Sequence, residues 1–245
     1  MKKKRKPVRR SKRRLILLVL LVLVVGWGSD IVSGLTPERL ERVFFIRDSV
    51  MAKQKPNFVP FDKIPLNVKQ AIVSVEDGRF YSHFGFDIAG IARAAFVNVQ
   101  SGEIEEGAST ITQQVIKNLF LSSEQTMGRK IEELILAVDM EQNFTKEEIL
   151  ELYLNTIYFG SDFYGIGEAS VGYFGKQPLE LNLAEAAMLA GLPNAPSLYS
   201  PYVDFMLAKK RQFIVLDAME RSGYITAQAA EAAKTQPIYL ARGKN

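Results

Sequence analysis

From Pro65 onward, apolar residues recur at three- and four-residue spacing far more often than they alternate, so the chain reads as helical almost throughout. The pattern predicts helices near 66–76, 87–100, 109–119, 124–142, 146–157, 163–173, 183–191, 205–222 and 227–235. Three starts carry capping-box spacing: Ser122 with Gln125, Thr145 with Glu148, and Asn182 with Glu185, where Asn replaces the usual hydroxyl residue. Strand-like alternation is scarce and no repeat of roughly 20–50 residues is visible. The fold class expected is mostly α.

One of these helices is unusual. Between Asp87 and Gln100, Arg93 and Asn98 stand almost alone among Ile88, Ala89, Ile91, Ala92, Ala94, Ala95, Phe96, Val97 and Val99. A helix apolar nearly all round is either a buried core element or one that dips into a lipid headgroup layer, here beside Phe84 and Phe86.

Before Pro65 the pattern changes. Leu15 to Val25 is an uninterrupted apolar run, and Leu35 to Pro65 is a proline-bearing arm with one short helix expected around Pro37 to Val43. Charge sharpens this picture. Ten of the 31 Lys and Arg residues lie between Lys2 and Arg14, which leaves 21 against 27 Asp and Glu beyond residue 14, a net −6 behind the formal +4. The basic residues form a tail, not a patch spread over a domain, and a nucleic-acid partner is not expected. Positive charge ahead of an apolar run predicts a membrane anchor with a cytoplasmic N-terminus. The run is short against the roughly 20 residues of a span, but Ile31, Val32 and Leu35 lengthen it, Arg13 and Arg14 can snorkel, and Trp27 suits the far interface. A removed signal peptide is the other reading, because Gly26-Trp27-Gly28 loosely imitates a cleavage site. The divisions expected are a basic tail over 1–14, an anchor over 15–34, an arm over 35–64 and a catalytic domain over 65–240.

The chain has no cysteine and one histidine, His83, which excludes disulfides, thiolate nucleophiles, Cys-ligated zinc and two-His metal sites. Candidate chemistry falls in three places. Glu76 and Asp77 are adjacent carboxylates at the end of a predicted helix, where the dipole disfavours negative charge. Nearby Phe80 and Tyr81 would partly desolvate Glu76 and raise its pKa, as proton transfer requires. On the helix after Gly107, Thr110, Gln113, Gln114 and Lys117 share one stripe, opposite Ile111, Val115, Ile116 and Leu119, and the polar stripe is expected to face outward. It is either a solvated face or a set of hydrogen-bonding groups for a sugar or phosphate. Arg129, Lys130 and Glu133 share a third face, either as a surface ion-pair cluster or as a carboxylate with cations that suit release of an anionic phosphate.

Taken together these segments resemble the peptidoglycan glycosyltransferases of family 51, the transglycosylase module of class A penicillin-binding proteins and of the monofunctional enzymes. The resemblance runs from about Pro65 to Met219 through successive motifs: EDGRFYSHFG (76–85), GASTITQQVIKN (107–118), RKIEELILA (129–137), KEEILELYLNTIYFG (146–160) and AEAAMLAGLPNAPSLYSP (184–201), with YGIGEASVGYFGK (164–176) between the last two. Glu132 departs from the basic or neutral residue common there, beside the key Glu133.

The resemblance implies a lysozyme-like, two-lobed helical domain behind the anchor, on the periplasmic or extracellular side of a cytoplasmic membrane. It implies polymerisation of lipid II into β-1,4-linked glycan with inversion and loss of undecaprenyl pyrophosphate, and so no covalent nucleophile. By similarity Glu76 is the general base and Glu133 the second essential carboxylate. Lys117, Arg129 and Lys130 are the cations at the pyrophosphate, and Arg79, Ser109, Thr110, Gln113, Gln114 and Asn118 complete the substrate groove. A divalent metal, Mg²⁺ or Mn²⁺, is expected as an option, with Asp77 or Glu133 as ligand. His83 would hold the shape of its loop, and Tyr153, Asn155, Tyr158 and Gly160 would serve packing and turns. The partners implied are lipid II, the growing lipid-linked strand, the membrane, and cell-wall synthesis or division proteins. No ordered S-x-x-K, S-x-N and K-T-G set appears, so these residues read as monofunctional. Two rivals share part of this pattern: a lysozyme-like enzyme that cleaves glycan, and a membrane-tethered cell-wall binding protein without catalysis.

Overall fold

The structure, a computed structural model, describes residues 57–101, 109–121 and 127–241. In chain order the helices are α1 (Leu66–Glu76), α2 (Ile88–Ser101), α3 (Ile111–Phe120), α4 (Met127–Asn143), α5 (Lys146–Thr156), α6 (Ile166–Phe174), α7 (Leu183–Gly191), α8 (Pro196–Tyr199), α9 (Phe205–Arg221) and α10 (Ala227–Thr235). Among the described residues extended pairing is limited to two isolated bridges, Phe84 with Phe86 and Tyr158 with Tyr164. The mostly α expectation is borne out. The apolar run from Leu15, the helix expected around Pro37 and the capping box at Ser122 lie outside the described residues.

Local chemistry sets several helix starts. Thr145 accepts a hydrogen bond from the Glu148 N–H at 3.2 Å while the Glu148 carboxylate accepts from the Thr145 N–H at 2.9 Å. Asn182 and Glu185 repeat the arrangement at α7. Caps of this kind stabilise a helix by about 1 kcal/mol, because they satisfy backbone donors that have no partner within the helix. The helix expected from 163 starts only at Ile166, because Tyr164 is held in its bridge and Gly165 takes φ +83°, closed against the Asn155 carbonyl.

Two groups of helices form the core. In the first, α7 is buried from Ala184 to Gly191, and α1 and α9 pack against it and each other. Its alanines and Gly191 let them approach closely, with Val68, Ala71, Ile72 and Val73 from α1 and Val215, Leu216 and Met219 from α9 filling the space. In the second, α3 packs on α4 and α5 through Ile111, Val115 and Ile116 against Leu136, Ala137, Met140, Ile149 and Leu150. Each Val, Ile, Leu or Met side chain among them contributes roughly 1.5–3 kcal/mol on burial.

Asp87 caps α2, accepting from the Gly90 N–H at 2.8 Å, but the helix is not a core element over 88–93. Ile88 is 71% exposed and Ile91 43%, with Ala89, Ala92 and Arg93 exposed beside them. Its apolar content therefore faces outward there, next to a Phe84 that is 51% exposed. The end of the expected arm is part of the folded body. Val59 N–H donates to Asn155 Oδ1 at 2.7 Å, Asn155 Nδ2 returns a bond to the Val59 carbonyl at 2.9 Å, and Phe61 N–H donates to Glu151 at 2.5 Å.

Candidate active site

Helix α1 stops at Glu76, since Asp77 leaves helical geometry at φ −157°, ψ 72°. The loop that follows is fixed by a 3-10 turn, Phe80–Ser82, which carries the Phe80 ring into the core. Each of the adjacent carboxylates is stabilised differently. Asp77 turns to the start of α3, where Oδ2 accepts from the Ile111 N–H at 3.0 Å, and both its oxygens lie 2.9 Å from His83 Nε2. Helix starts offer unpaired N–H donors and a dipole that favours an anion. Thr110 Oγ1 donates to the Gly85 carbonyl at 2.7 Å and ties the loop down again. Gly85 has φ +84°, and a Cβ there would stand 2.9 Å from the Ala137 backbone, so only glycine lets the loop lie against α4.

Glu76 has no such anion cradle. Its Oε2 accepts one hydrogen bond, from Gln114 Nε2 at 2.8 Å, and its Oε1 is shielded from solvent with no protein partner among the described residues. Burial is the largest influence and pushes the pKa above the ordinary glutamate value. The Gln114 hydrogen bond and the Arg211 charge oppose it, Asp77 reinforces it, and Lys117 opposes it least. The result is a carboxylate that gains by taking up a proton.

The stripe on α3 departs from the outward face expected for it. Thr110 and Gln113 are each 2% exposed and form the capping box of α3, the Gln113 N–H donating to Thr110 Oγ1 at 3.1 Å and the Thr110 N–H to Gln113 Oε1 at 3.0 Å. Gln113 Nε2 then donates to Glu133 Oε1 at 3.1 Å. Two consecutive glutamines therefore hold the two candidate carboxylates, Gln114 holding Glu76 and Gln113 holding Glu133. Farther along α3, Lys117 and Asn118 are exposed.

Glu133 is buried and its charge is compensated by its own helix. Lys130 Nζ makes a very short contact with Oε1, and Arg129 Nη1 lies 3.3 Å from Oε2. Lys130 also reaches Ser109 Oγ at 3.3 Å, which joins the cations to the exposed start of the α3 segment. The structure thus brings Ser109, Lys130, Arg129 and Glu133 together. Arg79 is committed elsewhere: it pairs with Asp87 through two hydrogen bonds, one of them Nε to Oδ2 at 2.9 Å.

Both carboxylates expected as metal ligands are engaged by protein groups as folded. Asp77 is bonded to His83 and the start of α3, and Glu133 to Lys130, Arg129 and Gln113. Among the described residues no three His, Asp or Glu side chains converge on a position where an ion could sit. Mg²⁺ is usually held by one or two carboxylates together with water and substrate phosphates.

Two site residues were not identified from the sequence. Tyr153, assigned to packing, donates from its buried hydroxyl to Gln114 Oε1 at 3.3 Å. Arg211, which α9 brings within electrostatic reach of Glu76, is held by its Nε bond to the Gly191 carbonyl at 3.3 Å and by the Tyr199 ring, 5.7 Å from Cζ. Nothing local marks either, since their partners lie 39 and 20 residues away in the chain.

A family model described as Transglycosylase matches residues 45–220. Penicillin-binding protein 1A of Aquifex aeolicus is 49% identical over 185 residues, 76% of this chain and 26% of that protein. Penicillin-binding protein 1A of Neisseria flavescens is 47% identical over 193 residues, 79% of this chain and 24% of that protein. The crystal structure of penicillin-binding protein 1A from Haemophilus influenzae is similar at 24% identity and a TM-score of 0.45, over 76% of this chain and 18% of that one. This chain thus spans about a quarter of the length of the curated relatives it matches.

Proposed function

This chain belongs to the transglycosylase family, and on that premise we propose that it is a peptidoglycan glycosyltransferase which polymerises lipid II at a membrane surface. The observation that carries the reading is Glu76: a shielded carboxylate with one oxygen unpartnered and a raised pKa, in a site that also holds Lys117. Glu76 takes the proton of the acceptor sugar's 4-hydroxyl as that oxygen bonds to the anomeric carbon of the growing strand. The bond from that carbon to pyrophosphate breaks in the same displacement, so the new β-1,4 link is inverted, and undecaprenyl pyrophosphate leaves. Lys117, Arg129 and Lys130 neutralise the departing anion, with Glu133 holding the last two in place. Ser109 and Asn118 are the remaining polar groups offered to the sugars and phosphates, whereas Arg79 acts through its pairing with Asp87, and Thr110 and Gln113 through the cap they build. Mg²⁺ or Mn²⁺ enters this reading only as a counter-ion carried by the pyrophosphate.

The wider reading is a lysozyme-like two-lobed domain tethered by residues 15–34, with its N-terminus cytoplasmic and its site on the outer side. Phe84, Ile88 and Ile91, all exposed, suit contact with lipid there. Further cell-wall synthesis or division proteins are partners of the same proposal. Purified protein incubated with lipid II tests it: polymer is expected. Shortening of pre-formed glycan without polymer would favour the lysozyme-like rival, whose neutral leaving group needs no cations. Binding without turnover would favour the tethered binder.

A further inference from the structure

Gln114 was assigned to the substrate groove, but both ends of its amide are engaged within the protein. An amide has one donor end and one acceptor end. The ionised Glu76 only accepts, so the NH₂ group faces it at 2.8 Å, and the carbonyl is left to Tyr153, whose hydroxyl donates at 3.3 Å. The Tyr153 ring is fully buried, and burial, with the charges of Glu76 and Asp77, holds its pKa well above the ordinary value, so the phenol keeps its proton.

We infer that Tyr153 and Gln114 are positioning residues that orient Glu76 and set its proton affinity, through a fixed chain of hydrogen bonds from Tyr153 to Gln114 to Glu76. The inference rests on the reading of Glu76 as general base. By donating to the Gln114 carbonyl, the phenol supports the amide orientation that turns the NH₂ group toward Glu76. Without it the amide can rotate and present its carbonyl to a protonated Glu76, an arrangement that favours the acid. Tyr153 thereby biases the amide toward the orientation that favours the carboxylate. It works alongside Arg211 from α9 and Lys117 from α3, which favour the same state, and against Asp77, which opposes it.

The test uses the full chain with Tyr153→Phe and Gln114→Met, two near-isosteric changes at different depths, one fully buried and one half-exposed. Two quantities are read: the acid limb of kcat/KM for lipid II polymerisation, and the Glu76 ionisation midpoint by ¹³C NMR of labelled glutamate carboxyls. The Glu76 signal is assigned by its loss in Glu76→Gln. Gln114→Met is expected to move both up by about one to two pH units, the range of a hydrogen bond to an ionised group. Tyr153→Phe should move both in the same direction by up to about one unit. Midpoints that coincide with the wild type in both folded variants overturn the inference. Because the NMR midpoint needs no turnover, a wild type that makes no polymer while the variants' midpoints shift would remove the glycosyltransferase reading and leave this one standing.

Discussion

Replacing Glu76 by Gln tests catalysis and stability together, because the same feature makes this carboxyl a base and makes it costly to the fold. A positioned general base contributes about 10²–10⁴ to rate, equivalent to about 3–5 kcal/mol on the barrier, and polymerisation should fall by that factor with folding intact. Stability should move the other way. Burial raises the folded-state pKa of Glu76 above its unfolded value, so the carboxylate costs more in the folded protein than in the unfolded chain. That cost is absent below the unfolded value, near 4.5, and complete above the folded one, so the wild type loses stability as pH rises through this window. Each pH unit by which the acid limb of activity lies above the ordinary glutamate value corresponds to about 1.4 kcal/mol of this cost. Glutamine carries no charge and keeps an acceptor for Gln114. Its NH₂ group takes the shielded position of Oε1, a penalty that does not vary with pH. The difference in unfolding free energy between variant and wild type should therefore grow in the variant's favour across the window and stay flat above it. Urea titrations at a series of pH values, paired with lipid II polymerisation rates, measure both. A difference that is flat throughout, or turnover near the wild-type rate, refutes the reasoning.

Lys117 is exposed on α3, so Lys117→Ala should change stability by less than about 0.5 kcal/mol. It should still weaken binding of a pyrophosphate-linked donor, and unchanged affinity in a titration would count against its cation role. Glu133→Ala leaves Arg129 and Lys130 without their shared buried carboxylate. It should cost about 1–3 kcal/mol in chemical denaturation, below the figure for a fully buried pair because the Lys130 side chain is 41% exposed. Gly85→Ala places a Cβ 2.9 Å from the Ala137 backbone at φ +84°. Left-handed strain alone costs about 1–2 kcal/mol, so Tm should fall by several degrees, and an unchanged Tm would show that the loop does not lie against α4.

Much of the secondary structure was legible along the chain because it is encoded over three or four residues. The helices expected at 66–76, 183–191 and 227–235 appear with those bounds, and the capping boxes at Thr145 and Asn182 form as spaced. A further box, Thr110 with Gln113, has the same spacing but was assigned to an outward stripe. Periodicity says which residues share a face, and burial of that face depends on what packs there. The same limit explains α2, whose apolar composition fits a core helix and a lipid-facing one equally well. The exposure of Ile88 and Ile91 removes the core reading over 88–93.

The sequence by itself determined the helical class, the order of the motifs and the kinds of groups in the site: carboxylates, cations and amides. These follow from local periodicity and residue chemistry. Tertiary structure decided what each group does. It gave Asp77 to His83 and the start of α3, Gln113 to Glu133, and Gln114 to Glu76 with Tyr153 behind it. The proton affinity of Glu76 belongs to this second class, because it depends on burial and on charges from α3 and α9 that no local pattern brings together. Desolvation and hydrogen-bond direction act through space between residues far apart in the chain.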